Sequence, residues 1–196
     1  MRRKEGGEIP LLSFISISLS QHHHFTPLPP PPPPHPCRTI LKHLIAAGLV
    51  VGDLEEAMAA NIGAVFMPHG LGHFLGIDTH DVGGYPGSTK RPALAGYARL
   101  RTTRTLEEGM YITVEPGCYF IDVLLDEALA DPVRSKFLCA AAIAPYRGTG
   151  GVRIEDDVLV TREGCENFTL APRTPEDVEA ACAGKITSIK QVKKHK

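Results

Sequence analysis

Three short segments of this sequence carry side chains that could do chemistry. The first is His69-Gly70-Leu71-Gly72-His73, with His80-Asp81 beyond it. His69 and His73 are four residues apart, the spacing of paired histidine ligands on a helix. Each intervening glycine disfavours a helix by roughly 1 kcal/mol, so this is not a zinc-protease helix. Glycines here let backbone come close to a ligand or to another strand. A lone histidine would ordinarily be structural; three in such a stretch, interleaved with glycine, point to a site. The second segment is Thr113-Val114-Glu115-Pro116-Gly117, where Glu115 ends an apolar strand. The third is Val152-Arg153-Ile154-Glu155-Asp156-Asp157-Val158. In a strand of period two, Arg153, Glu155 and Asp157 share a face.

Taken singly, each acidic segment reads as a solvated strand end or a salt-bridged face. Together, one imidazole and two carboxylates form an oxygen-rich set suited to Mn²⁺, Zn²⁺, Co²⁺ or Fe²⁺. A carboxylate can bridge two cations about 3.5 to 4 Å apart, and a hydroxide shared between them attacks amides at neutral pH. No GxSxG elbow occurs, and no cysteine has a papain-like setting.

The elements that must position these groups follow from the pattern. Ile40, Leu41, Leu44 and Ile45 have helical spacing, and Gly48 can end that helix. Asp53 is a good N-cap for a second helix through 54–63. Residues 64–87 read as strands and turns. Met110 to Ile121 is a strand with a Pro-Gly break, and 126–138 is a helix broken at Pro132. Residues 150–161 form a strand pattern. Thr174-Pro175-Glu176-Asp177 opens a last helix with a cap, a first-position proline and early acids.

Residues 1–37 read differently. MRRK is basic and Ile9 to Leu19 is fairly apolar, superficially like a signal peptide, but serines interrupt the run and no small-residue cleavage site follows. His22, His23 and His24 precede a proline run that lacks backbone donors and favours polyproline II. The expectation is a disordered arm over 1–37 that packs against nothing, an ordered domain over 38–184, and a basic tail over 185–196. A metal-binding histidine cluster or a ligand for a proline-recognising module are sharper readings of the arm, without supporting context.

With 196 residues, 43% hydrophobic and 22% charged, the chain suits one soluble globular domain. A formal net charge of -1 gives no general attraction to nucleic acid or anionic membrane. No apolar run approaches the roughly 18 residues a bilayer span needs. Five cysteines without a CxxC pair argue against a disulfide framework and for a reducing, cytoplasmic setting.

HGLGHFLGIDTHD, then TVEPG, then GGVRIEDD, in this order, resemble the pita-bread two-metal peptidases, the Xaa-Pro dipeptidase (prolidase) family, from about Thr39 to Gly184. The resemblance implies an α/β (α+β) fold: a curved antiparallel sheet covered by helices, with metals on the concave face. It implies hydrolysis of Xaa-Pro dipeptides, Mn²⁺ as cofactor with Zn²⁺ or Co²⁺ as alternatives, and a small proline-containing peptide as partner. A homodimer is the assembly it allows for the full-length family. The family's ligands run Asp, Asp, His, Glu, Glu. His73, Glu115 and Glu155 match the last three, with Glu155 in the bridging place. His80 matches a histidine that contacts substrate or stabilises the tetrahedral intermediate, and His69 a further active-site histidine. Arg101 matches an arginine that holds the carboxylate of a C-terminal proline, and Arg153 one beside the bridging glutamate.

The sequence departs from the family upstream. Before His73 the only aspartate is Asp53, at a helix start. Three of four ligands remain for one cation and one for the other. The expectation is a truncated or degenerate peptidase, severely impaired alone. A non-catalytic binding protein on a partial pita-bread scaffold is the alternative, and a fragment that does not fold by itself is a third reading.

Overall fold

The computed structural model describes residues 35–186. The segments 1–34 and 187–196, which hold nearly all of the expected arm and most of the tail, lie outside the described residues.

Helix α1 spans His35–Ala46. It therefore begins inside the stretch expected to pack against nothing, and the expectation fails at Cys37. A proline in the first turn costs no hydrogen bond, because the first helical N–H groups have no partner within the helix. Pro36 can thus belong to the helix that follows it. Cys37 packs against the core, and its Cβ is so close to Gly63 that a methyl there would lie 2.7 Å away. Leu41 and Leu44 face inward from the same helix. Gly48, at φ 73°, ends this region in the left-handed conformation that glycine adopts at no steric cost.

Asp53 caps α2 (Leu54–Ala59) by accepting from the N–H groups of Glu55 and Glu56. The short α3 (Gly63–Phe66) follows after Asn61, the one non-glycine at positive φ among the described residues. Helices α1 to α3 form one layer. Phe66 meets Phe120 edge to face at 5.9 Å, and Phe120 stacks on Tyr146 at 4.7 Å. Leu125 and Ala128 of α4 (Asp122–Ala130), Leu138, and Ile143 at the end of α5 (Ala140–Ile143) close the same core. Helix α4 stops at Ala130, before Pro132, as the sequence leads one to expect.

Antiparallel strands form the other part. β1 (Tyr111–Val114) pairs with β4 (Asp156–Thr161), and β4 with β5 (Gly164–Asn167). β2 (Gly117–Phe120) pairs with β3 (Gly150–Arg153). The segment around Phe74 runs beside the free edge of β1, joined by Thr113 N–H to the His73 carbonyl at 2.8 Å and Glu115 N–H to the Leu71 carbonyl at 2.7 Å. Helix α6 (Pro175–Cys182) follows, with Thr174 accepting from the Asp177 N–H. Ahead of α6, Arg173 clamps the buried Asp156 with both terminal nitrogens, one at 3.2 Å, fixing the start of β4.

All five cysteines are free. Burial pushes the thiols of Cys37 and Cys118 up to about 11. A thiol whose folded value lies above its unfolded value stabilises the fold fully below the unfolded value, near ~8.5, and loses that contribution as pH rises toward the folded one. Urea melts from pH 8 to 11 should therefore show stability falling across that window. Iodoacetamide at pH 8.5 should label exposed Cys182 well before Cys37 and Cys118, by peptide mass mapping.

Candidate active site

The register of β1 on β4 and that of β2 on β3 are the same, so the two strand pairs are one ribbon interrupted in the middle. Val114 lies opposite Asp156, and Gly117 opposite Arg153. That register sets Glu115 directly across from Glu155. The interruption has a local cause. Pro116 has no N–H to give, and it restricts Glu115 to extended backbone. The ribbon is held across the gap by Ile154 N–H on the Pro116 carbonyl at 3.1 Å. The expected single strand over 150–161 is therefore interrupted at Ile154 and Glu155 but keeps its alternation: Asp156 and Val158 lie on the buried side, while Glu155 stays exposed.

His73 joins the two carboxylates from the neighbouring segment. Ligand atoms of His73, Glu115 and Glu155 all lie within 4.8 Å of one another. His73 Nδ1 faces the Phe74 carbonyl at 3.0 Å and so carries the ring proton in the neutral tautomer. That leaves Nε2 as an acceptor, 3.3 Å from Glu115 Oε1. Two acceptors in this relation, with a second carboxylate alongside, attract a cation. Donors at about 2.0 to 2.2 Å from one ion stand up to about 4.4 Å apart, so the set fits a divalent cation after a small adjustment.

Both Glu115 oxygens are oriented. Oε1 accepts from Thr113 Oγ1 at 3.0 Å, and Oε2 from Arg153 at 3.0 Å. Arg153 also donates to the Tyr119 hydroxyl at 2.6 Å. Tyr119 and Thr113 drew no notice in the sequence. A tyrosine and a threonine in strand patterns look like ordinary strand residues, and only their partners reveal them.

His69 stands beside the cluster. Its ring meets Tyr119 edge-on at 5.4 Å, and its buried Nε2 has no hydrogen-bond partner among the described residues. Burial lowers its pKa, with Arg153 adding to that and the Gly70 carbonyl and Glu115 opposing it. His80 sits in an exposed loop, yet its ring packs edge-on against His73 at 4.4 Å. Arg101 is less committed. Its side chain is exposed, and its backbone presses on Gly70 and Gly84, where a methyl would lie 3.7 Å from Arg101 N and 2.0 Å from its carbonyl oxygen. Asp53 is engaged as a helix cap.

A helix-covered antiparallel ribbon that brings one imidazole against two facing carboxylates is the arrangement of a candidate divalent-cation site. The chain belongs to Metallopeptidase family M24, whose sequence pattern matches residues 37–162. It is 56% identical over 147 residues to Xaa-Pro dipeptidase of Homo sapiens, covering 75% of this chain and 30% of that protein. It is 42% identical to a probable Xaa-Pro aminopeptidase of Sordaria macrospora, over 69% of this chain and 29% of the other. Among solved structures, aminopeptidase PepP of Pseudomonas aeruginosa superposes with a TM-score of 0.53 at 37% identity, over 76% of this chain and 28% of that one. Zn-substituted Escherichia coli aminopeptidase P in complex with product superposes at 0.52 and 34% identity, over 78% of this chain and 28% of that one. The chain thus spans about 30% of the length of the curated relatives it matches. Members of the family bind divalent metal ions. Among the described residues, no helix is long and apolar enough to cross a membrane.

Gly72 allows the close approach on which the cluster depends. A methyl at this position would lie 1.9 Å from the Thr113 carbonyl oxygen. Backbone, not a movable side chain, is what it would strike. Gly72→Ala should therefore displace the His73 segment from β1 and cost on the order of 2 kcal/mol or more. Urea denaturation measures the loss; a variant as stable as the parent would contradict this packing.

Proposed function

We propose that this chain carries the His-Glu-Glu part of a divalent-cation centre for hydrolysis of Xaa-Pro peptides. The observation that carries the reading is Glu115 facing Glu155 across the ribbon break, with His73 Nε2 3.3 Å from Glu115. His73, Glu115 and Glu155 would hold the cation, with Mn²⁺ first in view and Zn²⁺ or Co²⁺ as substitutes. When bound, the ion supplies Lewis acidity for amide hydrolysis. The remaining roles belong to the chain's own side chains. Arg153 and Thr113 hold the Glu115 carboxylate, and His73 presents Nε2 because the Phe74 carbonyl occupies Nδ1. His80, packed on His73, is placed to meet a substrate. His69, half-buried with its ring against Tyr119, closes the site on that side. Arg101 has the paired donors that suit the free carboxylate of a dipeptide's C-terminal proline. The peptidase unit runs from α1 through α6, with residues 185–196 as a tail, and a cytoplasmic setting suits its free thiols.

The dipeptidase named among the relatives supports the choice of substrate, and the ligand count sets a limit on it. Two cations need more donors than one imidazole and two carboxylates, because a hard cation on a single carboxylate is left largely to water. A binding protein on the same scaffold is the second reading, favoured by that count.

The 196-residue chain should bind Mn²⁺ at no more than one weak site by calorimetry, and Glu155→Ala should abolish it. Gly-Pro turnover should be negligible with added Mn²⁺. Turnover near or above about 1 s⁻¹ would show that further donors complete the centre. Absence of any Mn²⁺ binding would remove the metal reading itself.

A further inference from the structure

In an antiparallel ladder, a hydrogen-bonded residue pair exchanges two N–H···O=C bonds. His73 and Thr113 form such a pair, but only one of the two bonds is conventional. Thr113 N–H donates to the His73 carbonyl at 2.8 Å. The His73 N–H instead donates to Thr113 Oγ1, at 3.0 Å. A methyl on Gly72 would lie 1.9 Å from the Thr113 carbonyl oxygen, so the absence of a side chain there is what lets the two segments come this close.

This diversion fixes the hydroxyl. One Oγ1 lone pair is taken by the His73 N–H, and the hydroxyl hydrogen is directed to Glu115 Oε1 at 3.0 Å. That oxygen is also the one 3.3 Å from His73 Nε2. A single hydroxyl, on a residue only 1% exposed, therefore sets both the backbone of the histidine and the carboxylate oxygen that faces its ring. β-Branching adds rigidity, since threonine has few χ1 states in a strand.

We propose that Thr113 is a positioning residue for cation binding: its hydroxyl locks the spacing of His73 against Glu115. The inference rests on the cation centre proposed above, and it adds a residue that touches neither the ion nor the substrate. A purely structural threonine would tolerate valine, which has the same shape. A positioning threonine would tolerate serine, which keeps the hydroxyl and drops the methyl.

The test compares the 196-residue chain with Thr113→Val and Thr113→Ser by Mn²⁺ titration, reading free Mn²⁺ from its electron paramagnetic resonance signal. Far-ultraviolet circular dichroism and thermal melts are run alongside without metal. Mn²⁺ affinity should fall about 10- to 100-fold in Thr113→Val and stay within about threefold of the parent in Thr113→Ser. If Thr113→Val does not fold, Thr113→Ala replaces it, with the same loss expected against a folded circular dichroism spectrum. Equal affinity in the parent and the folded hydroxyl-free variant overturns the inference and leaves the cation centre standing. Equal loss in Thr113→Ser and the hydroxyl-free variant also overturns it, because packing and not the hydroxyl would then be at work. No Mn²⁺ binding by the parent overturns the centre and this inference together.

Discussion

Two carboxylates placed opposite each other on neighbouring strands repel, and the surrounding sheet has to hold them there. Like charges at facing positions destabilise a ladder. Here they are Glu115 and Glu155, with an imidazole acceptor aimed at the first of them. Arg153 offsets part of the repulsion through Glu115 Oε2. The remainder explains why the arrangement suits a divalent ion: its charge answers both carboxylates at once, and His73 adds a neutral donor.

Most of the architecture serves to keep that confrontation in register. The break at Pro116 removes ladder bonds where the two glutamates meet, while the ribbon on either side keeps its pairing. β1 is clasped on its other edge by the histidine segment, so three stretches far apart in sequence converge on one face. Behind them, Asp156 turns away from the site into its clamp with Arg173. A buried ion pair of this kind contributes little net stability but fixes geometry, since removing one partner strands the other. The helical layer, through Phe66 against Phe120, anchors β2 and with it the far end of the ribbon.

The loop beyond His73 has a different physical character. Ile77 and Val82 are fully or largely exposed, and His80 is exposed between them. Few buried contacts tie this stretch down apart from Asp81 N–H on the Phe74 carbonyl and the ring contact of His80 with His73. Segments so lightly anchored open at low free-energy cost. His80, proposed to meet substrate, thus stands on more yielding backbone than the groups proposed to hold the ion.

Short-range physics made much of this legible from residue types alone. Asp53 and Thr174 announce helix starts because their oxygens satisfy N–H groups two or three residues on, and Gly48 and Pro132 mark where helices stop. The glycines around His69 and His73 exclude a helix for a local steric reason. Residue types alone left Glu115 and Glu155 readable as solvated or salt-bridged strand positions; the order of three motifs and their resemblance to a family marked His73, Glu115 and Glu155 as ligand candidates. Tertiary structure decided what depends on partners distant in the chain. Pro36 and Cys37 looked like the end of an extended arm; that α1 takes them in follows from Gly63 leaving room for the thiol. The acidic run 155–157 alternates as a strand should, with Asp156 on the face of Val158; what the sequence did not show is the gap in the ladder, which comes from Pro116 in another strand, and the partner of Asp156, Arg173, which arrives from outside the sheet. Thr113 and Tyr119 could not be singled out at all, because a hydroxyl becomes a positioning group only when the donors and acceptors around it arrive from elsewhere in the chain.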